Sequence, residues 1–289
     1  MNMKSFSTQE ILKSFKDLKL EANEIFEVEI LESDMDKIGY KSFVDLAQIF
    51  FLKMLTPRGE DTSIYLKFEK LNVEKSFHKE EKSSEKYGVD SEFFSINKND
   101  SFSFLYFYQK ALEFINIGDK KRILNLGINK ADEFQVIKDI LSEEKFENIE
   151  FVGIDYSDSV ISYAIENFKN KNINFISHDI NNLDDLVGEF DLIISIGTLQ
   201  SSNINFNETF MNIYQNYLKK DGDIILGFPN CRWIDGEMIY GAKAPNYCFS
   251  ELSLVLKDIH FCKKYMQQKK YRVTITGKDY LFLTARKIK

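Results

Sequence analysis

The sequence predicts an α/β fold built on a seven-stranded, doubly wound sheet, mostly parallel with an antiparallel C-terminal strand, and preceded by a small N-terminal α+β region. One observation behind this prediction is that short apolar runs alternate with helix-type periodicity from residue 122 onward. Such alternation is typical of right-handed strand–helix–strand crossovers, which give a parallel sheet covered by helices on both faces. The other is the end of the chain, where YRVTITG and DYLFLTARK indicate a β-hairpin and therefore an antiparallel strand.

Each element of the sheet region has its own signal. SFSFLYFYQKALEFINI has helical spacing and leads into the first strand, RILNL. The later strands are short and apolar, as expected of strands buried on both faces: IEFVGID, INFIS, FDLIISIG and GDIILGF. Helices between and after them are indicated by the periodic segments ADEFQVIKDILSE, DSVISYAIENF, NETFMNIYQNYL and SELSLVLKDIHFCKKYMQQ.

The first 95 residues follow a different pattern. TQEILKSFKDL and FVDLAQIFFLKML predict helices, whereas the apolar residues of EIFEVEIL and SIYLKFEKL alternate as in half-buried strands. The charged segment HKEEKSSEKYG is the expected linker. We therefore expect residues 1–95 to form an α+β lid or substrate domain and residues 96–289 to form the sheet domain. The alternative is that residues 1–95 are only an extension of the sheet domain.

Composition narrows the class of protein. The apolar content of 44% and charged content of 29% are those of an ordinary globular chain, and no apolar run is long enough to cross a bilayer. The N-terminus lacks the apolar core of a secretory signal, and the three cysteines have no metal-type spacing. We therefore expect a cytoplasmic protein with free thiols, no metal and no membrane partner. The formal net charge of −7 argues against nucleic acid as a partner, and the sequence does not indicate an oligomeric state.

A turn with a single glycine follows the first parallel strand, in the stretch RILNLGINKADEF. Gly127 stands where a backbone must approach a ligand closely, and Asn129 is a non-glycine residue that tolerates a positive φ well. Ala131 adds only a methyl group at the start of the helix, and Asn125 offers a donor and an acceptor without charge. The turn is therefore predicted to bend as in nucleotide-binding proteins, and to bind a ligand less strongly than the usual turn with three glycines. A loop that has lost its ligand is the alternative.

An acid ends the next strand, because Asp155 in FVGIDYS comes 24 residues after Ala131. A carboxylate at this position hydrogen-bonds the ribose hydroxyls of a bound nucleoside. The alternative is that Asp155 caps the following helix, although Ser157 or Asp158 could do so instead. The third and fourth strands end at Asp179 and at Ser195–Gly197. Ligands of open α/β sheets bind at this edge.

Taken in this order, the elements and residues between Ser101 and Lys289 resemble the class I S-adenosylmethionine-dependent methyltransferases. The first motif of that family is an acid followed by x-Gly-x-Gly-x-Gly, and the chain departs from it at three of four positions, in Asn125-Leu-Gly127-Ile-Asn129-Lys-Ala131. The resemblance implies a Rossmann-like methyltransferase fold, S-adenosylmethionine as cofactor, and Asp179 near the adenine amino group, with a solvated turn aspartate as the alternative. The cofactor-binding residues that it implies are Asn125, Gly127, Asn129, Asp155, Tyr156, Asp179, Ile180, Ser195 and Gly197.

The resemblance leaves the catalytic residues open. Methyl transfer is an in-line displacement to which an enzyme contributes mainly proximity and alignment, and a base is needed only where the acceptor must lose a proton early. His178 is a weak candidate for that base, with a turn residue as the alternative. Tyr106 and Tyr108 precede the first strand and could cover the methionine end of the cofactor, with core packing as the alternative.

The connection FPNCRWIDGEMIYGAKAPNYCF, after the fifth strand, is the predicted pocket for a small-molecule methyl acceptor, because long connections without periodicity are usually functional or disordered. Arg232 offers a planar fork for a carboxylate or phosphate, Trp233 an apolar wall, and Tyr240 a further aromatic ring. We expect this loop, with the N-terminal region as lid, to enclose an acceptor that bears an anionic group. The alternative is that Trp233 anchors the loop while Arg232 pairs with Asp235 or Glu237.

Two other functions remain open on the sequence. One is a non-catalytic protein of the same fold that binds the cofactor or a partner through an altered pocket. The other is a dinucleotide-dependent oxidoreductase, which the closing hairpin disfavours because the sheets of such proteins normally end parallel. A titration with S-adenosylmethionine and with NAD separates the three.

Overall fold

The computed structural model describes residues 1–75, 88–184, 186–201, 203–241 and 252–288. The chain divides into two compact units. The smaller unit comprises Met1–Glu80 and Cys231–Gly241, and the larger comprises Glu81–Asn230 and Ala242–Lys289. The predicted linker HKEEKSSEKYG lies outside the described residues except for Gly88, and so does the second half of the predicted acceptor loop, from residue 242 onward.

The smaller unit contains a three-stranded antiparallel sheet covered by helices. The alternation seen in EIFEVEIL corresponds to Val28 and Ile30, which are fully buried in a core that also contains Phe15 and Phe43. The central strand pairs with both others, in the order β1-β3-β2. The elements of the smaller unit before its linker are α1 (Thr8–Lys16), β1 (Ile25–Leu31), α2 (Glu32–Ile38), α3 (Tyr40–Ile49), β2 (Leu52–Glu60) and β3 (Ser63–Lys70).

The prediction of one helix over FVDLAQIFFLKML was wrong in its second half. Helix α3 ends at Ile49, and Leu52 already begins strand β2. Phe51, between them, has a φ of 54°, a left-handed conformation that a continuing α-helix does not contain. A continuous apolar run is compatible with helix and with strand, so periodicity could not place this boundary.

The larger unit contains the alternating elements that the sequence predicted from residue 122. The short helix α4 and the helix α5 precede the sheet, and three elements, α10, β11 and β12, close it. The bounds are α4 (Glu92–Ser95), α5 (Phe102–Phe114), β4 (Arg122–Leu126), α6 (Asp132–Ile140), α7 (Glu143–Glu147), β5 (Glu150–Asp155), α8 (Asp158–Asn167), β6 (Ile173–Ser177), β7 (Phe190–Ile196), α9 (Phe206–Asn216), β8 (Leu218–Pro229), α10 (Ser253–Gln268), β11 (Tyr271–Gly277) and β12 (Tyr280–Lys287).

The seven strands form one sheet in the order β11-β12-β8-β7-β4-β5-β6. Strands β4 to β8 run parallel to one another, and β12 is inserted antiparallel between β8 and β11. The predicted fold class is therefore confirmed. The strand order reverses between β4 and β7, which opens a crevice at the carboxyl ends of these strands, the usual ligand position in doubly wound sheets.

The sheet separates two apolar layers. Neighbouring residues of β4 point to opposite faces: Ile123 packs in the layer that contains Phe134 of α6, and Leu124 packs in the layer that contains Phe210 of α9. All four are buried, which fixes the register of β4 because a slip of one residue would exchange the faces. Within the described ranges, no helix combines the length and apolar character that crossing a membrane requires.

The predicted acceptor loop contains a β-hairpin, which corrects the expectation of a connection without periodicity. Strands β9 (Cys231–Ile234) and β10 (Glu237–Tyr240) pair antiparallel around Asp235 and Gly236. Both turn residues have a positive φ, of 50° and 78°, as a type I′ turn requires. Asp-Gly flanked by apolar residues is a strong hairpin signal, so the sequence did carry this element.

Candidate functional site

The turn after β4 is held in a strained conformation. Gly127, Asn129 and Ala131 all have a positive φ, of 77°, 44° and 63°. The amides of Gly127 and Ile128 both donate to the carbonyl oxygen of Ile154, at 2.8 and 2.9 Å, so that the turn is attached to the end of β5. A left-handed conformation costs a non-glycine residue roughly 1–2 kcal/mol, and such strain concentrates at ligand sites.

Gly127 is the position of the turn least able to accept a side chain. A Cβ added there would overlap the hydroxyl group of Thr198, in addition to being strained by the positive φ. We expect Gly127→Ala to lower the free energy of unfolding by about 1–2 kcal/mol through φ alone, and further through the overlap. Chemical denaturation of Gly127→Ala and of Gly127→Ala with Thr198→Ala measures the part due to Oγ1 and Cγ2 of Thr198, since the double variant removes these two atoms and keeps the close approach to Thr198 Cβ.

Gly118 provides the matched control. It lies in the same unit, its φ is not positive, and an added Cβ would meet its nearest neighbour, Lys145 Nζ, at 3.5 Å, an ordinary contact. Gly118→Ala should change stability by less than about 0.5 kcal/mol. Equal stability of Gly127→Ala and Gly118→Ala would contradict the proposed constraint on the turn.

Asp155 connects this turn to the start of α8. Its Oδ2 accepts a hydrogen bond from the Asn129 amide at 3.0 Å, and its Oδ1 accepts from the Ser157 amide at 3.2 Å. Burial raises the pKa of the carboxyl group, and these amide donors only partly offset that effect. The bond to Ser157 belongs to the helix-capping alternative, whereas the bond to Asn129 joins the end of β5 to the glycine turn after β4.

A second charged group lies next to this turn, at the start of α6. The Lys98 ammonium contacts Glu133 Oε1 at 2.6 Å, with only 10% and 1% of the two side chains exposed. Burial alone would lower the pKa of Lys98, but Glu133, together with Tyr280 and Asp132, outweighs it and the pKa is raised. Burial is also the main reason why the pKa of the neighbouring Asp132 is raised, even though Lys98 and Lys130 oppose it. The negative charge of Asp132, like that of Asp155, is therefore only partly compensated.

Several buried polar atoms around the turn have no hydrogen-bond partner. Both side-chain atoms of Asn125, which is 0% exposed, are without one, and so are Oδ1 of Asn129 and Nε2 of His178. A buried polar group without a partner costs on the order of 1–3 kcal/mol. These atoms, the glycine turn and the partly compensated carboxylates fit a polar ligand that carries positive charge, and S-adenosylmethionine is such a ligand.

The remaining cofactor candidates lie along the same edge of the sheet. Gly197 follows β7 and has a φ of 75°, and Ser195 donates from its hydroxyl group to the Leu126 carbonyl at 3.2 Å. Asp179 accepts from both the backbone and the side-chain nitrogen of Asn181, at 2.9 Å each, which is the turn geometry of its alternative role. Tyr156 is exposed and Ile180 is buried.

The three weak catalytic candidates have different surroundings. The backbone amide of His178 donates to the Asp155 carbonyl at 2.8 Å, which places this histidine next to the proposed ribose site. Tyr108 is fully buried and donates from its hydroxyl group to the Glu133 carbonyl at 3.4 Å, and burial raises its pKa, so it stays protonated. Tyr106 is 58% exposed and packs against Phe107, so the structure does not bring it to the turn.

The predicted acceptor residues lie in the smaller unit. Arg232 is buried, with its guanidinium carbon 4.7 Å from the centre of the Phe51 ring, whereas Trp233 and Tyr240 are half-buried. The alternative pairing of Arg232 with Glu237 is wrong, because Glu237 pairs with Lys53 at 2.8 Å. Arg232 makes no ion pair with Asp235 either. An ion pair would raise the pKa of Arg232, but burial lowers it.

Lys98 and Glu133 were not identified from the sequence. They are 35 residues apart, and neither stands in a motif. An acid at the second position of a helix that follows a ligand-binding turn is the only sequence signal for Glu133, and it is a weak one because acids are common in the first turn of any helix. Among the described residues, no group of three or more His, Cys, Asp and Glu side chains could hold a metal ion.

Solved structures with the same general architecture have little sequence in common with this chain. The plantazolicin methyltransferase BpumL, solved in complex with SAH, is 13% identical over 71% of this chain and 94% of its own, with a TM-score of 0.48. The methyltransferase domain of bacterial CtHen1-CN is 15% identical over 66% of this chain and 100% of its own, with a TM-score of 0.48. A putative caffeoyl-CoA O-methyltransferase from Staphylococcus aureus is 16% identical over 63% of this chain and 83% of its own, with a TM-score of 0.43.

None of the curated protein sequences matches the chain significantly. A family model described as a methyltransferase domain matches residues 117–275, which is more than half of the chain. This span contains the glycine turn, Asp155, and all the parallel strands of the sheet. The resemblance seen in the sequence is thus confirmed, and the chain belongs to the methyltransferase domain family.

Proposed function

We propose that the protein is an S-adenosylmethionine-dependent methyltransferase that acts on a small-molecule acceptor. The observation that carries the proposal is the bridge between Asp155 at the tip of β5 and the Asn129 amide in the glycine turn. It holds a carboxylate, only partly compensated, at the edge where doubly wound sheets bind nucleosides. A cofactor with a sulfonium and an ammonium group compensates the negative charge buried there.

The residues of the chain would bind and orient the cofactor, which supplies the activated methyl group. Asp155 would accept hydrogen bonds from ribose hydroxyls, and Asn125 would use its unpartnered amide. Asp132 and Glu133 would provide negative potential at the start of α6. His178 is the proposed base, because its Nε2 has no partner, whereas Tyr108 is held protonated by burial.

The acceptor is the finer part of the proposal. A formal net charge of −7 disfavours nucleic acid, since phosphate binding depends on neutralisation by Lys and Arg. Arg232, Trp233 and Tyr240 are proposed to bind a small acceptor that bears an anionic group. They belong to a hairpin that follows β8 directly in the sequence, after Asn230 alone. Residues 1–95, of which residues 1–80 belong to the smaller unit, are proposed as the lid or substrate domain.

Calorimetric titration of the full chain tests the function. We expect S-adenosylmethionine and its demethylated product to bind with micromolar affinity and NAD not to bind. Transfer of a labelled methyl group to a panel of small organic acids then tests catalysis. Saturable binding of NAD in place of S-adenosylmethionine, or tight and salt-sensitive retention on tRNA, would overturn the proposal.

A non-catalytic protein of the same fold is the second candidate, and one observation favours it. The side chain of Thr198 covers the face of Gly127, the backbone position that a ligand must approach. In an active enzyme Thr198 adopts another rotamer when the cofactor binds. Binding of S-adenosylmethionine by Thr198→Ala but not by the parent would favour the non-catalytic candidate.

The affinity for S-adenosylmethionine should depend on pH. Burial is the main cause that raises the pKa values of Asp155 and Asp132 in the folded protein. In the protonated form these groups therefore contribute to the free energy of unfolding at low pH, and this contribution is lost as pH rises through the raised pKa values. A cationic cofactor favours the ionised carboxylates. Affinity should therefore increase as pH rises above 3.8, the ordinary aspartate value, and become constant above the raised pKa. Titrations in two buffers should show proton release, and Asp155→Asn should flatten the profile.

A further inference from the structure

A buried guanidinium group without a partner lies in the smaller unit. Arg232 is only 4% exposed, and its Nε makes no hydrogen bond. No hydrogen bond or ion pair joins its side chain to any residue within the described ranges. Its neighbour is the Phe51 ring, 4.7 Å from the guanidinium carbon. Buried charges in proteins are almost always paired, so this arrangement calls for a partner of opposite charge.

A second cation without a carboxylate lies at the same ring. The Lys70 ammonium is 5.6 Å from the centre of the Phe51 ring and donates to the Phe50 carbonyl at 2.7 Å. Burial lowers its pKa, as it does for Arg232, and within the described ranges no carboxylate forms an ion pair with either side chain. Two half-desolvated cations at one aromatic ring produce a concentrated positive potential in a protein whose net charge is negative.

The backbone at this ring is strained. Phe51 has a φ of 54°, and its carbonyl accepts the Leu71 amide at 3.0 Å, which holds the residue between α3 and β2. Its ring packs against the small apolar cluster of Leu71, Ile234 and Ile239. A non-glycine residue in this conformation persists where the surroundings enforce it, and such residues concentrate at ligand sites.

A cavity of about 240 Å³ opens next to Lys70. Apart from Lys70 and the exposed Lys19, the side chains that line it are apolar: Phe15, Leu18, Leu20, Phe50 and Leu52. Slightly more of its surface is polar than apolar. Apolar side chains around a few placed polar groups are the usual form of a small-molecule site. A guanidinium stacked on a ring keeps its in-plane N–H groups free for a bidentate contact with a carboxylate.

We propose that the smaller unit binds a small organic acid, with the carboxylate held by Arg232 and Lys70 beside Phe51 and the apolar part of the acid in the cavity lined by Phe15, Leu20 and Leu52. The inference deepens the proposed function by naming the class of acceptor. It rests on that function only for the identification of the acid as the methyl acceptor. The binding itself is independent of the cofactor, because every residue involved belongs to the smaller unit.

Thermal unfolding and calorimetry of the full chain, without cofactor, test this site with octanoate and 3-phenylpropanoate as probes and their neutral amides as controls. At about 10 mM, the acids should raise the unfolding midpoint and the amides should not. Arg232→Met should abolish the rise. The same variant should be more stable than the parent without ligand, because it removes a buried charge without a partner.

The second variants separate binding from folding. Lys70→Met should weaken acid binding at least tenfold, and Arg232→Lys should retain part of it because the charge remains. Leu20→Trp, which fills the cavity, should exclude 3-phenylpropanoate. If acids and amides act alike, if none of the acids binds, or if Arg232→Met is less stable and still binds the acids, the proposal is overturned.

These results are distinguishable from those for methyl transfer. Acid binding in a chain that does not bind S-adenosylmethionine would leave this site in place and overturn the proposed function. Binding of S-adenosylmethionine without binding of the acids would overturn this site and leave the proposed function in place.

Discussion

Asp155→Ala is expected to lower the affinity for S-adenosylmethionine at least tenfold. Hydrogen bonds to a charged group contribute about 1.5–3 kcal/mol each, and a factor of ten corresponds to about 1.4 kcal/mol. The loss of one ribose bond therefore accounts for the expected effect, and the loss of two exceeds it. Calorimetric titration of parent and variant measures the difference directly.

Two further variants separate the ribose bonds from support of the turn. Asp155→Asn keeps an acceptor for the Asn129 amide but loses the charge, so it should fold like the parent and still bind weakly. Asp158→Ala, three residues later at the exposed start of α8, changes an acid of the same type outside the crevice and should bind like the parent. Equal affinities of Asp155→Asn and the parent would contradict the role of its charge.

Lys98→Met is expected to lower the free energy of unfolding by about 3–5 kcal/mol, since it leaves the Glu133 carboxylate buried without its partner. Glu133 is almost completely buried, with its second oxygen already without a hydrogen bond. Chemical denaturation at neutral pH checks the magnitude.

The double variant Lys98→Met with Glu133→Leu provides the internal control. A buried ion pair replaced by apolar side chains of similar size often leaves stability unchanged, so most of the loss should be recovered. Lys110→Met, which removes one partner of the exposed pair with Glu113, should have little effect. A double variant no more stable than Lys98→Met would show that the pair is not the cause.

The sheet could be predicted from the sequence because its strands carry a local signal. IEFVGID and FDLIISIG are apolar on both faces and short, and they form β5 and β7 at the predicted positions. The smaller unit was harder to predict. Phe50, Phe51 and Leu52 form one apolar run, and only the left-handed φ of Phe51, a consequence of tertiary contacts, separates helix from strand.

The residues of the candidate site also fall into those that the sequence could predict and those that it could not. Gly127, Asn129 and Asp155 follow strands directly, so their place at the sheet edge could be predicted from chain order alone. Lys98 contacts Glu133 only because the segment before α5 crosses the start of α6, and no local pattern records such a contact. Arg232 was singled out for its chemistry, but its neighbour Phe51 comes from a part of the chain about 180 residues earlier.

The hairpin β9–β10 has a consequence for biosynthesis. The smaller unit needs residues from both ends of a long stretch of sequence, since Met1–Glu80 is completed by Cys231–Gly241. Domains commonly fold in order as the chain leaves the ribosome, at about 5–20 residues per second. The N-terminal segment must therefore wait roughly 10–30 seconds for the strand that covers Leu71 and Phe51. During that interval its apolar surface is open to chaperones, and slower codons between the two segments would prolong the exposure.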